Sequence, residues 1–222
     1  MERKLQALRT PRAAGLVGII FALLLAAAII LVRLAVPDEP GDVSTSWVTD
    51  PSRRRTVKTA LNLIPFAGIF FLWFMGAVRA RIGEAEDQFF ATVFLGSGLL
   101  FVATLFGAAA AAGGLLVTAD LAGAGSKLQG SSFGRHVTYS LLTTYAMRMA
   151  AVFTFSTSTI GHRLGVLPRW LYLLGYLVAL TLLLVSGSVA WSELVFPMWA
   201  LGVSLHIFVA GLRPRPGSVG AS

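Results

Sequence analysis

The 222-residue sequence contains no cysteine. That removes disulfides, thiolate nucleophiles, iron–sulfur clusters and cysteine-ligated zinc together. Charge is scarce too: 13% of the residues are Asp, Glu, Lys or Arg, against about 25% in an ordinary soluble domain. His136, His162 and His206 are scattered, without H-x3-H or H-E-x-x-H spacing, so neither a metal nor a cofactor is expected. A P-loop, a dinucleotide fingerprint and paired carboxylates inside an apolar run are missing as well. The chain is therefore not expected to be an enzyme, and no catalytic residue is assigned.

What remains is apolar. Hydrophobic residues make up 56% of the chain, and nearly uncharged stretches of about 20 residues recur, the length of a helix crossing ~30 Å of hydrocarbon. Six spans are predicted, over residues 13–35, 59–78, 89–117, 138–160, 170–186 and 192–212. The expected fold is all-α: a polytopic transmembrane helix bundle forming one domain over 13–212. A basic tail (1–12) precedes it and a disordered tail (213–222) follows. The first span reads as an uncleaved anchor, because its apolar core is longer than the usual signal-peptide h-region and no small-x-small cleavage site follows. Residues 37–58 read as a loop, broken by Pro, Gly and Asp.

The formal charge is +8, but its carriers flank the spans. Topological anchoring explains that distribution better than nucleic-acid binding, which is not expected. Arg3, Lys4, Arg9, Arg12, Arg79, Arg81, Arg163, Arg169, Arg213 and Arg215 fall on the side of the tails. Arg53, Arg54, Arg55, Lys58, Lys127 and Arg135 fall on the other. The excess predicts a multi-pass protein of the cell membrane, a bacterial inner membrane, with both termini cytoplasmic; the Arg53–Arg55 cluster runs against it.

Arg148 interrupts the fourth span about ten residues from either end. An arginine at mid-bilayer costs ~2.5–3.5 kcal/mol on insertion scales. At helical spacing Thr144, Arg148, Ala151, Phe155 and Thr159 share a face, so a candidate intramembrane polar site is drawn at Arg148, Thr144 and Thr159. That face is expected to meet protein or water rather than lipid. Glu86, Asp87, Asp120 and Glu193 are the carboxylates considered as partners, and none lies mid-span. Two readings follow: Arg148 clips helices together, or it lines an anion or solute path.

The link after span two, "GAVRARIGEAED", is a candidate cytoplasmic charge cluster of Arg79, Arg81, Glu84, Glu86 and Asp87. Its acids suit the start of the following helix. Gly76, Arg81 and Gly83 resemble the loop between helices two and three of major facilitator transporters, but Ala80 and Glu84 depart from that pattern. Ser132, within "GSSFG", and His206 resemble the serine and histidine of rhomboid intramembrane proteases, in those two residues alone.

Small residues recur at Gly18, Ala22 and Ala26 and at Ala103, Gly107 and Ala111, ribbons that allow close helix crossings. On the stretches "LNLIPFAGIFFLWFMGAVRARIGEAEDQFFATVFLGSGLLFVATLF" (61–106) and "MRMAAVFTFSTSTI" (147–160), the chain resembles uncharacterised six-span integral membrane proteins of high-GC bacteria. The resemblance implies topology and location, and no activity. The expected role is a structural or partner-binding membrane subunit, in contact with the lipid bilayer and with other membrane proteins or copies of itself. The alternative is a small-solute or anion transporter or channel that uses the Arg148 face.

Overall fold

In the computed structural model, residues 11–35, 50–82, 88–122, 131–186, 189 and 191–212 are described, and all regular structure among them is helical. The helices are α1 (Pro11–Ala35), α2 (Pro51–Ile82), α3 (Gln88–Ala122) and α4 (Ser131–Tyr139), then a π-helical segment (Ser140–Ala146). They continue with α5 (Met147–Arg163), α6 (Arg169–Leu184), a 3-10 turn (Ser192–Leu194) and α7 (Val195–Leu212).

Four stretches among the described residues are long and apolar enough to cross a membrane: Arg12–Ala35, Pro51–Arg79, Phe89–Thr118 and Ser192–Leu212. The other two expected spans fall short of that measure for different reasons. The α6 helix is apolar but only 16 residues long. The expected fourth span is divided among α4, the π segment and α5, and α5 carries Arg148 and five Ser or Thr residues.

Local chemistry sets the boundaries. Asp50 Oδ1 accepts the backbone N–H of Ser52 at 2.8 Å, capping a helix whose first residue is Pro51, where a missing N–H costs nothing. The α2 helix therefore starts eight residues before the expected Thr59. It takes in Arg53, Arg54 and Arg55 and leaves Pro65 in its interior rather than its opening turns. Leaving α5, Gly165 takes a left-handed conformation at φ 63°. The N–H groups of Gly165 and Val166 reach back to the carbonyls of His162 and Gly161, a Schellman closure that needs glycine at that point. Pro168, extended, then opens α6.

The long elements pack as a ring: α1 touches α2 and α7, α3 lies between α2 and the α4–π–α5 column, and α6 joins α5 to α7. Phenyl rings fill the centre. Phe71 of α2 lies 4.8 Å from Phe21 of α1, 5.0 Å from Phe101 of α3 and 4.9 Å from Phe153 of α5, centroid to centroid. Phe196 of α7 closes the cluster, 5.1 Å from Phe101. All five rings are fully buried. Four hydroxyls within the bundle turn back on their own helices. Ser97, Thr154, Thr157 and Ser204 each donate to the carbonyl four residues earlier, so they add little free polarity to the interior.

One small-residue ribbon is used as a close crossing and the other is not. Gly18 on α1 packs against Ser204 of α7 and Phe74 of α2, and a Cβ at Gly15 would lie 2.7 Å from backbone atoms of Phe208. On α3, Ala103 is exposed, and the nearest atom to a Cβ at Gly107 is a methyl of Leu141 at 3.7 Å.

Candidate functional site

Among the described residues the Arg33–Glu193 pair is enclosed by the apolar bundle, whereas Arg148 lies on its outer surface. Arg33, near the end of α1, points at Glu193 in the 3-10 turn before α7, with Nη2–Oε1 at 2.6 Å. The side chains are 11% and 2% exposed. Trp191, left-handed at φ 69°, turns the chain into that 3-10 turn and lays Glu193 inward rather than into the connecting loop. The second carboxylate oxygen, Oε2, has no hydrogen-bond partner among the described residues. A void of about 70 Å³ adjoins the pair, bordered also by Tyr139 and Thr143. The π segment passes there, and Ser186 Oγ donates to the Thr143 carbonyl at 2.6 Å. At the opposite end of the same two helices Arg12 Nε donates to the Gly211 carbonyl at 3.2 Å. Thus α1 and α7 run antiparallel, tied at both ends.

Glu193, considered above as a partner for Arg148, belongs instead to Arg33. Nothing about Arg33 stands out in the sequence, because one arginine three residues from the end of an apolar run reads as an ordinary flank. Its pairing depends on the left-handed turn at Trp191, which brings together residues 160 positions apart.

Arg148 is the second charged position. It is exposed on the outer surface of α5 and has no hydrogen bond or ion pair among the described residues. Its companions on the expected face are divided. Ala151 is buried, Phe155 is exposed, and Thr144 and Thr159 are half-buried. Thr144 belongs to the π segment, whose i→i+5 winding breaks the 3.6-residue spacing on which that face was drawn. Thr159 accepts a hydrogen bond from the Tyr176 hydroxyl at 3.2 Å, so it serves the α5–α6 contact. Beside Arg148, a groove of about 350 Å³ runs between α5 and α6, with Ala151 and Ala179 among its lining residues and Phe155 and Tyr176 bordering it.

The expected cytoplasmic charge cluster is only partly visible. Arg79 is exposed near the end of α2, Arg81 lies in the last turn of that helix, and Glu84, Glu86 and Asp87 lie outside the described residues. At the same end of the bundle Arg163 stacks over the Phe90 ring, 4.5 Å from its centroid. Ser132 lies in the first turn of α4 and His206 in α7. Among the described residues no group of three or more His, Asp or Glu could hold a metal ion. Outside the bundle Asp50 has a carboxyl held below the usual carboxylate range. The backbone N–H and then the hydroxyl of Ser52 favour its ionised form, with Arg53 beside it.

Among the described residues the Arg33–Glu193 ion pair joins α1 to the turn before α7, and Arg148 is exposed one turn before an apolar groove on the outside of α5 and α6. No protein-family model, curated protein or solved structure matches the chain.

Proposed function

We propose that this chain is a six-span membrane protein, both termini on the cytoplasmic side, that acts as a structural or partner-binding subunit. The observation that carries the reading is the centre of the ring. Phe21, Phe71, Phe101, Phe153 and Phe196 occupy the place where a solute path would run, while Arg148, without an ion pair among the described residues, is on the outside. The ties at both ends set α1 antiparallel to α7, as an even number of spans requires. A transporter that used the Arg148 face as a channel wall would need that face inside.

The absence of native cysteine makes the test direct. Single cysteines at Ser126 and Glu86 are expected to react with an impermeant thiol reagent from opposite sides of sealed vesicles. A cysteine at Ser97, buried beside the central rings, is expected to react only after denaturation. Rapid labelling at Ser97 from either side would overturn the packed-subunit reading. Labelling of positions 86 and 126 from one side would overturn the six-span topology.

A further inference from the structure

We propose that Arg148 and the α5–α6 groove form a docking face for a transmembrane helix of another protein, one that carries an Asp or Glu within its apolar stretch. The inference rests on the reading of the chain as a membrane-spanning, partner-binding subunit, and it names the chemistry of the partner.

The argument starts from depth. Arg148 is fifteen residues before Arg163, which is level with the start of α3 through its stacking on Phe90. At 1.5 Å per residue that is about 22 Å along the helix. In the other direction it is five residues past Thr143, which borders the void beside Arg33 and Glu193. The guanidinium therefore emerges within the apolar height of the bundle, below the layer where α1 and α7 are clamped. An exposed cation at such a depth is unfavourable in lipid and is stabilised by an opposite charge.

The adjoining surface has a matching shape. Ala151 and Val152, three and four residues after Arg148 and so on its side of α5, line the groove together with Ala179 of α6. Ala151 and Ala179 form the buried floor of the groove, and their small size leaves a depression into which the side chains of a second helix can pack, the means by which membrane helices gain packing energy. Along α6 the exposed Leu173, Leu177, Leu180 and Leu184 recur at four, three and four residues. That is the spacing of a helix seam, and Leu180 also lines the groove. An apolar helix laid in this groove would bring a side chain one turn from its centre to Arg148, and an acid at that point would neutralise it.

A second copy of this chain is a poorer occupant. A two-fold contact uses the same patch on both partners and would bring two Arg148 side chains near each other. The carboxylate described within the bundle, Glu193, is already held by Arg33.

The test uses the full chain in vesicles of zwitterionic lipid, with one added cysteine at exposed Phe133 carrying a fluorescent donor. The probes are synthetic 23-residue Leu/Ala transmembrane peptides with an acceptor, differing only in a central Asp or Leu. The Asp peptide is expected to associate about tenfold more tightly than the Leu peptide, the size of one good polar contact between membrane helices. Arg148→Met should remove the difference, and Arg148→Glu should transfer it to a peptide with a central Lys. Ala179→Phe, which fills the groove and keeps Arg148, should weaken binding of the Asp peptide. Thermal unfolding of each variant separates loss of binding from loss of fold.

Equal binding of Asp and Leu peptides, or a preference that survives Arg148→Met, would overturn the proposal. So would energy transfer between donor- and acceptor-labelled copies of the chain that displaces the peptide. Selective, Arg148-dependent enrichment of anionic phospholipid, with the Asp peptide inert, would overturn it in favour of a lipid headgroup. These outcomes are independent of the cysteine topology test. A chain that labels as six spans and ignores the peptides refutes the docking face alone.

Discussion

Removing both members of the Arg33–Glu193 pair should destabilise the bundle less than the two single removals added together. Glu193 is 2% exposed and Arg33 11%, with 2.6 Å between them. In Arg33→Met a buried carboxylate keeps neither its cation nor, at Oε2, any other partner. Breaking a buried pair from one side typically costs about 3–5 kcal/mol, whereas replacing both members with uncharged residues of similar size is often neutral. Polar contacts between membrane helices measure smaller, averaging about 0.6 kcal/mol, but those averages are dominated by neutral groups. The expectation is therefore a loss of about 2–4 kcal/mol for Arg33→Met, less for Glu193→Gln, whose amide oxygen can still accept from the guanidinium. The double variant should fall closer to wild type than the sum of the two, a coupling on the order of 2 kcal/mol. Equilibrium unfolding of all four proteins in mixed detergent micelles measures it, and the cycle isolates the pair from whatever else Arg33 touches. Additivity within about 0.5 kcal/mol would refute the claim that this pair, rather than general packing, clamps α1 to α7.

Gly15→Ala should force α1 and α7 apart, because the added methyl would lie 2.7 Å from the Phe208 backbone, which has no rotamer by which to yield. A loss of about 1–3 kcal/mol in the same unfolding assay is expected, and an unchanged midpoint would refute the crossing. Phe71→Ala empties the centre of a five-helix aromatic cluster. Since lipid solvates phenyl rings in the separated helices, only the cavity part of the loss should remain, about 1–3 kcal/mol, and small apolar molecules should bind the gap. The carboxyl of Asp50 is held low by Ser52, so its contribution is present above the ordinary carboxylate range and is lost as pH falls through the lowered value. Amide exchange in the first turn of α2, corrected for intrinsic rates, should accelerate on acidification in wild type. In Asp50→Ala it should be fast at every pH.

The helical and apolar character of the bundle was legible from the sequence, because hydropathy acts over a few residues. Gly18 and Ala22 were likewise legible as a contact strip, since spacing alone puts them on one side of α1. Two things were not. The α2 start moved to Pro51 because a single Asp–Pro step outweighs a basic, polar composition that reads as loop. The face drawn through Thr144, Arg148 and Thr159 assumed uninterrupted α-helix, and the π segment between Thr144 and Arg148 shifted its members apart. The signal for that segment is the contact from Ser186 to the Thr143 carbonyl, 43 residues away, and no local pattern carries it.

What the sequence by itself determined is an all-helical chain rich in apolar helices, with Arg148 as a charge in an apolar setting. Tertiary structure alone decided which charges are partnered. Whether an arginine is paired depends on which helix lies beside it and how that helix turns. Arg33 meets Glu193 because the left-handed turn at Trp191 folds the carboxylate inward. Arg148 emerges one turn before a groove because α6 packs against α5 through Thr159 and Tyr176, with the buried Ala151 and Ala179 at the floor of the depression between them.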